Sequence, residues 1–251
     1  MVGSSCSGTN AMRYGTMKEW VLTLTVVPSD GRIIKRRRRP RKFATGYNLT
    51  GLFIGSEGTL GIVTEATLKL AVIPQQTRVG VVTFPTIRSA ASAAMQIIRA
   101  DIPIAAMELL DDVQMNVINR AGSTDRTWDE APATLFFKSS GTTAGVKENI
   151  ELTTAVAKRN HGDKFLFAST EAEAQKLWTV RKESLWSMLS LRKQGQGNEV
   201  WSTDVAVPIS RLPDIIEVSK REIDDLGLFA SILGHVGDGN FPRVDPLRRH
   251  G

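Results

Sequence analysis

Five stretches of this sequence hold residues whose types and spacing can do chemistry. The first, SCSGTNAMRYG at residues 5–15, places small residues side by side. Such a backbone can approach a ligand closely, and its consecutive N–H groups can cradle a phosphate. A plain flexible loop has the same composition. The second, GSEGTLGIVTEATLKL at 55–70, leads glycines into an apolar strand. It suits main chain passing against a flat ligand, or a tight turn before a core strand. The third centres on Arg181 in LWTVRKESLW. On a helix, Trp178, Arg181, Leu185 and Met188 share one face by three- and four-residue spacing. A guanidinium on an apolar stripe must meet an anion, because an unpaired buried charge is costly. That anion is either a substrate carboxylate held bidentately or a core Asp or Glu in a structural ion pair. The fourth, GHVGDGN at 234–240, sets His235 and Asp238 among glycines. It reads either as part of a metal or acid–base site or as a core histidine followed by a turn. The fifth is the basic run at 35–42, a candidate nucleic-acid patch or a solvated loop.

The surrounding elements must position these groups. Residues 20–27 (WVLTLTVV) are β-branched and apolar and predict a strand, with turn residues Ser29, Asp30 and Gly31 returning the chain as a hairpin over 32–35. A further strand spans roughly 62–72, and a domain boundary falls near Pro74–Thr77. Beyond it, strands near 79–84, 104–109, 134–138, 164–168, 200–207 and 229–236 alternate with helices near 86–99, 111–119, 143–159, 171–192 and 210–226. Thr170 and Glu173 predict a capping box, and Gly227 predicts a helix end. The alternation predicts an α/β or α+β sandwich.

Composition narrows the function. The chain has 251 residues, 41% hydrophobic and 23% charged, which is ordinary for a globular protein. Its net charge is +6, but Lys35, Arg36, Arg37, Arg38, Arg39, Arg41 and Lys42 concentrate the excess in one segment and leave the remainder near neutral. No aromatic residues interleave that segment for base stacking, so no nucleic-acid partner is expected. A basic nucleic-acid-binding module through 35–42 remains the alternative from another class. The single cysteine, Cys6, permits no intrachain disulfide and rules out a four-cysteine or two-cysteine, two-histidine zinc site. No run of apolar residues reaches the length of a transmembrane helix. No leader is evident: Met1 is followed directly by the Gly/Ser-rich stretch.

Taken in order, SGTNAMRYGTM, DGRIIK, RPRKFATGYNLTGLFIGSEGTLGIVTEATLKL, WSTDVAVP and GHVGDGN resemble the FAD-linked D-lactate dehydrogenase (cytochrome) family of fungi. This family sits among 2-hydroxy-acid oxidoreductases with a vanillyl-alcohol-oxidase-type flavin domain. The resemblance covers nearly all of residues 1–241. It implies an α+β fold: the C-terminal part of that FAD-binding domain over 1–76, then a ferredoxin-like substrate (cap) domain over 77–241 with helices on one face. It further implies that Ser7, Gly8, Thr9, Asn10, Tyr14 and Gly15 line the flavin and its pyrophosphate. Gly58, Gly61, Ile62 and Val63 would touch FAD through their backbone. Arg181 would hold the substrate carboxylate, and His235 would be the first histidine of a divalent metal site (Zn or Mn), with Asn240 in the same motif. The implied activity is oxidation of D-lactate to pyruvate by hydride transfer to flavin, with electrons passed to cytochrome c in mitochondria. Relatives acting on D-2-hydroxyglutarate or glycolate are the alternative. Ser202 stands where members acting on dicarboxylates resemble one another in carrying a lysine, which favours lactate.

The sequence also departs from the family's pattern. The earlier half of the flavin domain has no counterpart. Phe241 is followed by Pro242, where a second metal-binding histidine is expected. Residues 242–251 (PRVDPLRRHG) form a tail unlike the family, without its later glutamate–histidine pair. The expectation is a copy incomplete at both ends, its cap and FAD sites only partly built and the chain inactive alone.

Overall fold

The computed structural model describes residues 1–36, 46–122, 126–190 and 199–247. The chain divides into two units, Met1–Ile73 and Pro74–Gly251. In the first, the apolar alternation of VLTLTVV makes strand β1 (Val21–Val27), flanked antiparallel by β2 (Ile34–Arg36) and β3 (Ile62–Leu68). The expected hairpin is present, with Val26 opposite Ile34. One face of β1 packs Val21, Leu24 and Val26 against Phe53 and Ile54, with Val2, Met17 and Val63 at the margin. Phe53 belongs to the short helix α3 (Leu49–Phe53), after the one-turn helices α1 (Ala11–Tyr14) and α2 (Met17–Trp20). Of the basic run, Lys35 and Arg36 lie in β2; residues 37–42 fall outside the described residues.

The second unit follows the predicted alternation closely. Its elements are β4 (Gln76–Phe84), α4 (Ile87–Arg99), β5 (Ile104–Asp111), α5 (Asp112–Ala121), β6 (Ala133–Gly141), α6 (Thr143–Arg159), β7 (Asp163–Phe167), α7 (Glu171–Ser190), β8 (Glu199–Ala206), α8 (Leu212–Asp225), β9 (Ser231–Gly234) and β10 (Asn240–Leu247). The sheet order is β7-β4-β6-β5-β9-β10-β8. Its first four strands have the order of a ferredoxin-like β-α-β-β-α-β unit, and β9, β10 and β8 extend it beyond β5. Helix cover is two-sided rather than one-sided. The face bearing Val82 lies against α6, since a Cβ at Gly162 would meet Ala157 O and Val82 Cγ2. The opposite face, with Val79, Val81, Ala106, Leu110 and Phe136, packs on Met115 and Ile118 of α5 and on Leu177, Trp178 and Val180 of α7. Phe137 lies so close over Gly80 that a Cβ there would meet its ring at 2.3 Å. Only glycine fits beneath the ring.

Local signals explain the boundaries. The Thr170 hydroxyl accepts from Glu173 N–H at 3.2 Å, while the Glu173 carboxylate reaches back one residue further than predicted, to Ser169 N–H at 2.7 Å. Gly227 ends α8 at φ 61°, with Leu228 N–H donating to Ile223 O. Residues 242–247, expected to lie in a tail, continue β10 in antiparallel register with β8, Pro242 opposite Asp204.

Candidate functional site

In Met1–Ile73, the two glycine-rich stretches meet. Gly55 N–H donates to Val2 O at 3.2 Å and Glu57 N–H to Gly3 O at 2.9 Å, tying the loop before β3 to the amino-terminal loop. Gly55 sits at φ 80°, and a Cβ there would meet Ser5 Cβ at 3.3 Å. Beyond this junction, among the described residues, no acceptor meets the N–H groups of Ser7, Gly8, Thr9 and Asn10. Ser7, Gly8 and Asn10 are exposed, and Gly8 has open space where a side chain would stand. Four successive unpaired donors on an open loop fit an anionic group such as a pyrophosphate. Tyr14 stacks edge-on with Trp20 and its carbonyl accepts from the indole N–H. Gly15 takes φ 71° at the end of α1.

The second glycine stretch divides by role. Gly58 is open, at φ 80°. Gly61 is buried, and a Cβ there would meet Val26 Cγ1 and Val27 O, each at 2.9 Å, so its glycine is required by packing against β1. Val63 turns into the core, whereas Ile62 is 62% exposed and available to a flat apolar ligand.

In Pro74–Gly251, Arg181 and His235 come together on the α7 face of the sheet. Helix α7 buries Trp178, Arg181 and Met188 as its spacing predicts, but Ser184 replaces Leu185 on the stripe. Leu185 is 40% exposed, while buried Ser184 satisfies its hydroxyl on Val180 O at 2.9 Å. Arg181 Nε donates to Glu108 Oε2 at 2.8 Å, and His235 Nδ1 lies 2.9 Å from Glu108 Oε1. Glu108 is 1% exposed, in the middle of β5, where every residue is buried. Arg181 Nη2 stands 3.3 and 3.4 Å from the two ring nitrogens of His235. Which ring nitrogen accepts from that N–H depends on the tautomer of the imidazole.

The ion pair that spacing allowed for Arg181 is therefore present, with Glu108 as its carboxylate. Sequence reasoning missed Glu108, although a lone acid inside the apolar run IAAMELL signals a buried charge in need of partners. A second missed group is Lys138 on β6, half-buried with its ammonium 4.1 Å over the Trp178 ring. Burial lowers its pKa, nearby Lys182 lowers it further, and Glu108 opposes them. The cluster thus gathers cationic groups around one carboxylate.

GHVGDGN folds as a 3-10 turn, Val236–Asp238, closed by Gly239 at φ 72°. Asp238 is exposed at the end of the loop, where partial burial of its carboxyl raises its pKa, His235 opposes that rise and Glu108 adds to it. His235 and Asn240 face each other in an antiparallel bridge, and Asn240 Oδ1 is buried without a partner. One imidazole and one orphan amide oxygen fall short of a metal's ligand set. Among the described residues there is no group of three or more His, Cys, Asp or Glu side chains that could hold a metal ion. The residues described do not by themselves fit a metal.

The chain is 49% identical over 243 residues to the mitochondrial D-lactate dehydrogenase (cytochrome) of Kluyveromyces lactis, covering 96% of this chain and 42% of that protein. It is 48% identical to the mitochondrial D-lactate dehydrogenase (cytochrome) 1 of Saccharomyces cerevisiae, covering 96% of this chain and 41% of that protein. The chain therefore spans less than half the length of these relatives. In fold, it is similar to a solved alkyldihydroxyacetonephosphate synthase, with a TM-score of 0.73 at 18% identity, over 99% of this chain and 50% of that one. The family model for FAD linked oxidases, C-terminal domain, matches residues 73–242, from the boundary between the two units to the second residue after Asn240. The chain belongs to the FAD linked oxidase family, through its C-terminal domain.

Proposed function

We propose that this chain serves FAD-dependent oxidation of D-lactate to pyruvate, with electrons passed on to cytochrome c in mitochondria. The relatives' names support this substrate, acceptor and compartment. The observation that carries the reading is Arg181: a guanidinium with a 9% exposed side chain, paired with Glu108 through Nε alone. No described residue accepts from its Nη1. A 2-hydroxy acid brings the carboxylate that such a guanidinium lacks. Each charge-assisted hydrogen bond to it contributes about 1.5–3 kcal/mol. Oxidation removes the Cα hydrogen with its electron pair and the hydroxyl proton; FAD, when bound, supplies the hydride acceptor.

The protein's share is binding and orientation. The unpaired N–H groups of Ser7, Gly8, Thr9 and Asn10 hold the pyrophosphate, with Tyr14 and Gly15 closing that loop. Gly58 and Ile62 offer an open backbone and an apolar surface to the flavin, and Gly61 and Val63 brace them from the core. Arg181 holds the substrate carboxylate, and His235 stands against the guanidinium beside it.

The test is anaerobic. FAD is added to the chain, the excess removed, and the flavin absorbance recorded before and after D-lactate, glycolate or D-2-hydroxyglutarate. Retained flavin bleached fastest by D-lactate supports the reading. Faster bleaching by another acid reassigns the substrate. If no flavin is retained, the partly built FAD site expected from the sequence does not suffice alone.

A further inference from the structure

Glu108 stands between the two residues assigned above, and both of its oxygens are taken by different partners. Oε1 faces His235 Nδ1 at 2.9 Å. A carboxylate oxygen only accepts, so the hydrogen on that line belongs to Nδ1. The neutral imidazole then carries its lone pair on Nε2. Oε2 takes Nε of Arg181 at 2.8 Å. A guanidinium can grip a carboxylate by its side, through Nε and one Nη, or by its end, through Nη1 and Nη2. With Nε occupied, only the end remains.

We propose that Glu108 is the positioning residue of this site. It commits Arg181 to end-on recognition of a substrate carboxylate through Nη1 and Nη2, and it commits His235 to the tautomer with its lone pair at Nε2. The first half rests on the reading of Arg181 as the carboxylate-binding residue; the second stands without it. The position of Glu108 suits the role. It is held on a central strand, paired with β6 through Phe136, and its side chain is 1% exposed, so its oxygens cannot follow solvent. A purely structural ion pair with Arg181 would need one oxygen and would leave the histidine tautomer to chance.

The tautomer can be read directly by long-range proton–nitrogen NMR on the nitrogen-labelled chain, at a pH above the imidazole range. The chain has three histidines, so a His235→Asn variant identifies the signals that belong to His235. The expected result is His235 protonated at Nδ1, with that form falling from dominant to minor in Glu108→Gln. An Nε2–H tautomer in the unsubstituted chain overturns the proposal, and so does an Nδ1–H form that Glu108→Gln leaves unchanged. If Glu108→Gln does not fold, Glu108→Asp reads the same redistribution, because it keeps the charge and withdraws the oxygen by one methylene.

Oxalate, a carboxylate that cannot be oxidised at a Cα–H, tests the arginine in the same sample. End-on binding moves the Arg181 Nη signals and leaves the Glu108-bonded Nε–H in place. Displacement of Nε–H overturns the end-on mode. An absence of oxalate binding overturns the carboxylate reading and the end-on half with it, while the tautomer result still decides the histidine half.

Discussion

The two units hold their candidate ligand groups by opposite means. In Met1–Ile73 these are main-chain donors on an open loop, fixed by backbone bonds such as Glu57 N–H to Gly3 O at 2.9 Å. In Pro74–Gly251 they are ionisable side chains inside an apolar sheet–helix layer, each held by another side chain. Main-chain dipoles need little burial to stay in place, and a loop of small residues can present several at once. A buried guanidinium must already have a partner when no ligand is present, because leaving it bare costs several kcal/mol. Glu108 is that partner. The contrast predicts where substitutions damage the fold and where they damage only binding.

The largest effect is expected at Arg181. Arg181→Met leaves the Glu108 carboxylate in the core without its cation, and removing one member of a buried pair costs about 3–5 kcal/mol. Urea unfolding measures it. Adding Glu108→Leu should recover most of the loss, because two apolar residues need no pairing. Equal losses in the single and double variants would mean that the charge pair is not what holds this layer together.

Next comes a pH effect that separates the units. Asp111, fully buried beside Lys220 at 3.2 Å, has its carboxyl pushed up to about 6 by burial, with Lys220 opposing. Its folded value lies above the unfolded one. The stability it contributes is therefore complete below the ordinary Asp range and is lost as pH rises through about 6. Glu19 in the first unit is the reverse: the Thr16 hydroxyl bond holds its carboxyl below the usual range, so its contribution is lost as pH falls. Asp111→Asn should remove the falling limb between the ordinary Asp value and about 6 from the pH–stability curve. A limb that survives in the variant would belong to other groups.

Smaller again is Gly61→Ala, at φ 156° with Val27 O and Val26 Cγ1 each 2.9 Å from the added carbon. One neighbour is backbone and cannot rotate away, so a cost of about 1–3 kcal/mol is expected in thermal or urea unfolding. A neutral result would mean that β1 yields at Val27, and the division of the glycine stretch into braced and open positions would fall.

Periodicity and end signals made much of the fold legible. Thr170, Gly227 and the strand runs of the second unit lie at or within a few residues of the observed boundaries, because amphipathic spacing and capping are local. What sequence could not give was long-range. Spacing placed Leu185 on the buried stripe of α7, but the helix rolls toward Ser184, whose hydroxyl is satisfied on its own backbone. The junction of Gly3 with Glu57 joins segments more than 50 residues apart, and neither segment advertises the other. Glu108 carried a signal, a lone acid in an apolar run, but not the identity of its partners. Spacing left Arg181 between an ion pair and a ligand. The structure supplies the ion pair, and no described residue accepts from Nη1 of the guanidinium.

The smallest change in stability is expected at Gly8, and it bears on function most directly. Its backbone lies at an exposed turn with nothing within 4 Å of an added Cβ. Gly8→Ala should therefore leave unfolding within about 0.5 kcal/mol of the unsubstituted chain, as for substitutions away from packed features. If the N–H groups of residues 7–10 cradle a pyrophosphate, the same methyl group stands where the ligand must approach. FAD retention after gel filtration should then drop while stability does not. Gly61→Ala should show the reverse order, with stability lost first and flavin lost only as the unit unfolds. Equal retention in Gly8→Ala and the unsubstituted chain would move the pyrophosphate away from this loop, and the open donors of residues 7–10 would be no more than a solvated turn.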